Sequence, residues 1–183
     1  LCMAQQAIEF HYHFCPQCGT ANPSTWGTPF RCAMCGFANF FGPVAAVGGL
    51  IVNGNGQVLL VRRARDPGKG MWGLPGGFVD RDESIEQALF REIKEETHLR
   101  VAQLEYLTSH PNTYCYHGVI APVVDLFYVC RVDPNQTLRL AADELDHFEW
   151  TRPTPEHLDN MAFHSNRVAL ELWMRLSHGT IGR

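Results

Sequence analysis

Three things scarce in this 183-residue sequence narrow what it can do. No apolar run approaches the roughly 20 residues that a bilayer-spanning helix requires, so no membrane partner is expected. The opening residues, Leu1-Cys2-Met3-Ala4-Gln5-Gln6, have neither a basic flank nor an apolar h-region and do not read as a secretory leader. Basic charge is also short: 15 Lys and Arg stand against 19 Asp and Glu, for a net charge of −4. That balance is wrong for a protein that coats nucleic acid by neutralising phosphates. Internal repeats and low-complexity tracts are missing too. The composition, 45% hydrophobic and 19% charged, is that of a globular protein, and the expected location is cytoplasmic. The length suits one catalytic domain with a small attachment.

Cysteine, in contrast, is plentiful, with seven in the chain. Four form two C-x2-C-G knuckles, Cys15-Pro16-Gln17-Cys18-Gly19 and Cys32-Ala33-Met34-Cys35-Gly36. A redox pair would need one such knuckle. Two of them, 13 residues apart, supply four thiolates for a tetrahedral Zn²⁺, and the glycine after each frees the backbone for the turn. A segment this short builds little core of its own, so the zinc is expected to be structural. Cys2, Cys115 and Cys130 are expected to be free thiols. His11 and His13 are surplus to a site already complete.

Texture changes along the chain. Residues 1–42 hold the cysteine module, and residues 43–183 are expected to form the main domain. Val44–Val52 and Val58–Arg63 are β-rich and flank Asn53-Gly54-Asn55-Gly56, a hairpin signal. Arg65 to Gly77, rich in glycine, reads as an irregular loop. Asp82 is the expected N-cap of a helix over Glu83–Thr97. Val101–Thr108, Val123–Val132 and Phe148–Trp150 read as strands, and Val168–Leu176 as a C-terminal helix. The fold class this implies is α/β (α+β), with helices layered on a mixed sheet.

The helix over Glu83–Thr97 carries the chemistry. At about 100° per residue, Ile85, Ala88, Leu89 and Leu99 fall on one stripe, which should face the core. Glu92 and Glu96 fall on that stripe and Glu95 borders it, whereas Glu86, Gln87 and Lys94 lie opposite. A solvated glutamate face would put its carboxylates away from the apolar stripe. Inward-leaning carboxylates are costly unless paired or bound to a cation, and Arg91 can neutralise only part of three. Glu92, Glu95 and Glu96 converge within one turn, which suits oxygen ligation of Mg²⁺ or Mn²⁺. Leu74-Pro75-Gly76-Gly77 leads into this segment; paired glycines permit close approach to a ligand or make a plain turn.

Together these residues resemble the Nudix box, G-x5-E-x7-R-E-U-x-E-E-x-G-U with U aliphatic. The matches are Gly77, Glu83, Arg91-Glu92, Ile93, Glu95-Glu96 and Leu99, with His98 standing where the family has glycine. The resemblance implies a Nudix α/β/α sandwich with a mixed β-sheet, preceded by a zinc ribbon. It implies that Glu92, Glu95, Glu96 and the Gly77 carbonyl hold Mg²⁺ or Mn²⁺, that Arg91 orients a glutamate, and that Glu83 supports the loop before the helix. It also implies hydrolysis of a nucleoside diphosphate linked to another group, by in-line attack of water on phosphorus. The family's general base often comes from outside the box, and the candidate is Glu144, in Asp143-Glu144-Leu145, which resembles a second acidic site in the NADH pyrophosphatase subgroup; an exposed loop carboxylate is the other reading.

A zinc ribbon before such a domain is similar to the NADH pyrophosphatase and RNA de-NADding group, and to plant-type ADP-ribose and FAD pyrophosphatases. The first implies a homodimer. The NADH subgroup's S-Q-P-W-P-F-P-x-S stretch is not reproduced: in Ser109–Tyr116 only Ser109 and Pro111 match. Trp72, Phe78, Tyr114 and Tyr116 are candidate stacking partners for a base, or core and loop residues. ADP-ribose is therefore expected ahead of NADH and FAD. The alternatives are a nucleotide-sensing binding module, an oxidised-nucleotide sanitiser, or a hydrolase of capped RNA, the one nucleic-acid partner left open.

Overall fold

A computed structural model describes residues 6–22, 28–133 and 135–179; of the three surplus thiols, Cys2 lies outside them. Two compact units emerge. One gathers the described residues up to Val44 with Thr113–Val123; the other comprises Ala45–Asn112 and the described chain from Val124 onward.

In the first unit, β1 (Gln6–Ala7) runs into a 3-10 turn at Ile8–His11, and β2 (Phe30–Arg31) pairs antiparallel with β3 (Ala38–Asn39). Its small core is Cys15, Phe30 and Cys32, with Tyr12, Phe37 and Phe41 packed around them. Tyr12 meets the Phe41 ring edge-on, centroids 4.6 Å apart. Aromatic packing supplements the cysteines there.

The second unit is built on β5 (Val58–Arg63), β6 (Trp72–Gly73), β9 (Leu145–Thr151) and most of β4 (Val44–Val52), β7 (Val101–Tyr116) and β8 (Val119–Val132), of which Val44, Thr113–Tyr116 and Val119–Val123 belong to the first unit. The strand order is β8-β4-β5-β6, with β7 on β8 and β9 on β5. β4, β6 and β9 pair antiparallel with β5, whereas β1 runs parallel to the start of β8, so the sheet is mixed. Side chains alternate between faces along a strand. Val47, Ile51, Leu59, Val61, Tyr128 and Cys130 pack with Ala88, Leu89 and Ile93 of α1 (Ile85–Thr97). Leu50, Val58, Leu60 and Phe127 pack on the other side with Ala169 and Leu170 of α3 (His164–Gly179). Helices cover both faces of the sheet, giving the expected α/β/α layering. This is why β4 and β5 read as continuous apolar runs.

Boundaries shift in physically intelligible ways. The helix N-cap is Ser84, not Asp82: Ser84 Oγ accepts from the Gln87 amide and the Gln87 side chain answers the Ser84 N–H, a complete capping box. Asp82 instead takes a left-handed turn conformation, φ +69°. Thr154 caps a short unforeseen helix, α2 (Pro155–Asp159), with Pro155 in its first turn. β7 and β8 extend well past their expected ends into a long hairpin.

Candidate functional site

The site is built where the glycine loop after β6 meets α1. Gly76 has φ +150°, and a Cβ there would collide with the Val47 carbonyl. Freed of that constraint, its N–H donates to Glu96 Oε2 at 2.9 Å. At Gly77 a Cβ would sit 2.5–2.8 Å from the Glu92 carboxylate. The two glycines therefore make room for two carboxylates, Gly76 by offering an amide and Gly77 by offering space. The plain-turn reading does not account for these contacts. The Gly77 carbonyl accepts from the Val47 N–H at 2.8 Å, which fixes the loop against β4.

Arg91 organises the opposite flank. Its guanidinium grips Glu83 in a two-pronged pair, Nε to Oε1 and Nη2 to Oε2, both 2.8 Å. It also reaches Glu92 Oε1 at 2.7 Å, Glu95 Oε2 at 3.3 Å and the Phe78 carbonyl at 3.1 Å. The Arg91 hydrogen bonds hold the Glu83 carboxyl down at about 2. Glu92 is pushed up by burial, which Arg91 only partly offsets. Glu96, 7% exposed, is pushed up to about 8 by burial and then by the charges of Glu92 and Glu144, despite the Gly76 amide. One arginine thus faces an excess of inward carboxylates, two of them resisting ionisation. A divalent cation with oxygen ligands relieves that condition.

Glu144 enters from another element. Its N–H donates to the Ala141 carbonyl, its carbonyl accepts from Ala64, and Ala141 N–H donates to the Glu96 carbonyl. These bonds tie the segment before β9 both to the end of β5 and to the end of α1. Its charge contributes to the upward push on Glu92 and Glu96, and its side chain is part-exposed.

The candidate stacking residues lie on separate elements. The Trp72 ring packs between His147 and His157, at 5.9 and 5.6 Å, on the α3 side of the core. Phe78 borders the Arg91 cluster, and Tyr114 belongs to the other unit. The Tyr116 side chain lies outside the described residues. At His98 the family glycine is replaced at a C-cap with φ +59°; its N–H donates to the Lys94 carbonyl and its ring Nδ1 sits 3.0 Å from the Arg139 carbonyl. The helix therefore ends where a glycine would end it.

In the first unit the four cysteines form two matching turns. Gly19 N–H donates to Cys15 O at 2.9 Å and Gly36 N–H to Cys32 O at 3.0 Å, with both glycines near φ +73°. All four sulfurs lie within 4.8 Å of one another. Cys15–Cys35 and Cys18–Cys32 are 3.7 and 3.6 Å apart, and a tetrahedron of 2.3 Å Zn–S bonds has edges of about 3.8 Å. The Thr20 hydroxyl and backbone draw the Cys18 thiol down to about 6, while burial and the neighbouring cysteines push Cys35 up to about 12. The donor set and its spacing fit zinc. Cys115 and Cys130 are free, as expected, and no described helix is long and apolar enough to cross a membrane.

Comparison with known proteins agrees with this geometry. An ADP-ribose pyrophosphatase of Methanocaldococcus jannaschii is 48% identical over 72 residues, covering 38% of this chain and 42% of the relative. A NAD-capped RNA hydrolase NudC of Actinobacillus succinogenes is 26% identical over 170 residues, covering 84% and 61%. The chain thus spans less than two thirds of the length of either. The solved NUDIX domain of Shewanella oneidensis NrtR, complexed with ADP ribose, superposes with a TM-score of 0.58 at 27% identity, covering 74% of this chain and 89% of that one. The NUDIX domain model matches residues 42–171, and with the site on the matched segment the chain belongs to the Nudix family.

Proposed function

We propose that the chain hydrolyses a phosphoanhydride bond in a nucleoside diphosphate linked to another group, with ADP-ribose ahead of NADH and FAD, releasing a nucleoside monophosphate. The observation that carries this is the approach of Glu92 and Glu96 to the Gly76-Gly77 loop, with Arg91 paired to Glu92 and Glu95 and the charge of Glu144 acting on Glu92 and Glu96. Two relatives support the substrate class: the pyrophosphatase named for ADP-ribose and the NUDIX domain solved with ADP ribose bound. Glu92, Glu95 and Glu96, with the Gly77 carbonyl, would hold Mg²⁺ or Mn²⁺, which supplies charge neutralisation on the diphosphate oxygens and acidifies the attacking water. Glu83 fixes Arg91, and Arg91 fixes Glu92 and Glu95. Glu144 accepts the proton of the attacking water as its oxygen bonds to phosphorus and the bond to the leaving phosphate oxygen breaks. Four thiolates, Cys15, Cys18, Cys32 and Cys35, would hold a structural Zn²⁺. A ribbon module over residues 1–42, a hydrolase module over 43–183 and a homodimer complete the proposal.

The test is hydrolysis of ADP-ribose, NADH, NAD⁺, FAD, 8-oxo-dGTP and NAD-capped RNA with Mg²⁺ or Mn²⁺, beside Glu96→Gln. Turnover of ADP-ribose that the variant loses by 10²-fold or more is the expected result. Turnover confined to the oxidised triphosphate or the capped RNA would move the substrate. Binding without turnover would make the chain a nucleotide sensor.

A further inference from the structure

β5 and β9 pair regularly from Val58–Thr151 to Arg62–His147, and then the register breaks between Arg62 and Arg63. A bulge of this kind re-aims the side chains that follow it. Three arginines leave that point with separate partners. Arg62 Nε pairs with Asp146 at 2.7 Å. Arg63 donates to the Pro67 carbonyl at 2.6 Å and lies 5.1 Å from the Phe163 ring centre. Arg65 Nη2 reaches Glu144 Oε1 at 2.7 Å, while the neighbouring Ala64 amide donates to the Glu144 carbonyl, also at 2.7 Å.

This last pair has an electrostatic reason. The charge of Glu144 acts on Glu92 and Glu96, and like charges drive a long, partly exposed side chain outward. Arg91, committed to Glu83, Glu92 and Glu95, stands on the other flank. Once a divalent cation occupies the cluster the force reverses, and an untethered Glu144 would be drawn into the ligand set, where it can no longer take a proton. Arg65 opposes both excursions. Being more than half exposed, its ion pair adds little to stability, so its use is geometric.

We infer that Arg65 is a positioning residue for Glu144, holding its carboxylate at the rim of the metal-binding cluster, near enough to accept a proton and restrained from ligation. This rests on Glu144 as the proton acceptor proposed above.

The experiment compares Arg65→Ala, Arg65→Lys, Glu144→Gln and the Arg65→Ala/Glu144→Gln double variant. It measures kcat and KM on the best substrate of the panel, and Mn²⁺ binding to the substrate-free protein by electron paramagnetic resonance. The expectation for Arg65→Ala is a fall in kcat of about 10- to 100-fold, the scale of an ångström's misplacement, with KM within about twofold. Arg65→Lys should recover most of the loss, and the double variant should match Glu144→Gln. Mn²⁺ should bind about threefold or more tightly to Arg65→Ala, because a further carboxylate joins the ligands, but not to the double variant. Wild-type kcat in Glu144→Gln would sink the proton-acceptor reading and this inference together. An impaired Glu144→Gln beside an unaltered Arg65→Ala would sink the inference alone, as would equal losses from Arg65→Ala in both backgrounds. Unchanged Mn²⁺ affinity in Arg65→Ala would also overturn it, whether or not a substrate is found.

Discussion

Gly76 N–H donates to Glu96 Oε2 across the seam between the glycine loop and α1, and Glu96 is nevertheless held up at about 8. A carboxyl raised above its ordinary value of about 4.5 stays protonated in the folded chain when the unfolded chain has already ionised. The folded state then binds more protons, so stability falls as pH rises between those two values. Through Glu96 alone, metal-free protein should lose stability from pH 5 to pH 8 with a slope of at most about 1.4 kcal/mol per pH unit. Glu96→Gln should flatten that slope in chemical denaturation and abolish turnover. Saturating Mn²⁺ should flatten it in the wild type. A slope that survives Glu96→Gln would assign it to another group.

Gly77→Ala isolates the space beside Glu92. The added methyl meets only the end of a side chain, so the fold can yield at a cost within about 1 kcal/mol, as is usual away from the core. The carboxylate cannot keep its position, and kcat should fall by about 10²-fold. Gly76→Ala collides with the backbone carbonyl of Val47 instead, and should cost stability in thermal melts before kinetics can be compared.

His98→Gly should leave kcat unchanged. A non-glycine residue in the left-handed region costs about 1 kcal/mol, here offset in part by the ring contact to the Arg139 carbonyl. The variant should therefore be more stable by at most about 1 kcal/mol. A loss of activity would mean that the ring serves the site and not only the helix end.

Purified protein should contain one zinc per chain by elemental analysis, and Cys32→Ser should contain none. Because metal binding supplies much of the folding free energy of such small modules, amides at residues 6–22 and 28–44 should exchange far faster in that variant. Exchange in α1 and β5 should change little. Slow exchange in a zinc-free protein would show that the aromatic cluster around Tyr12 suffices.

What could be read from the sequence was whatever depends on spacing along one element. Ile85, Ala88 and Leu89 announced the buried face of α1, and Glu92 and Glu96 stood out because they shared it. The knuckles around Cys15 and Cys32 were legible because zinc demands four thiolates at short range. Contacts made across elements were not. The cap was legible locally, against the expected Asp82: Ser84 has Gln87 three residues on, the spacing of a capping box, whereas Asp82 has Ile85. Arg65 carries no sequence signal at all, since its meaning depends on the β5–β9 bulge and on a carboxylate 79 positions away. That Trp72 packs on the α3 side of the core was equally hidden, because aromatic residues are spent on cores as readily as on ligands.

The parallel pairing of Gln6–Ala7 with Val119–Ile120, fixed by Gln6 N–H on the Gly118 carbonyl at 3.1 Å, has a practical result. Cutting the polypeptide after the cysteine module does not cut it between folded bodies. It strips a covering strand from an apolar border, Val119-Ile120-Ala121, whose open amides and carbonyls would then invite a neighbouring molecule. Only Pro122, unable to donate, blunts that border. An isolated hydrolase fragment should therefore clump edge to edge as its concentration rises, and poor solubility in it would reflect a lost chaperone-like cover, not a faulty catalytic core.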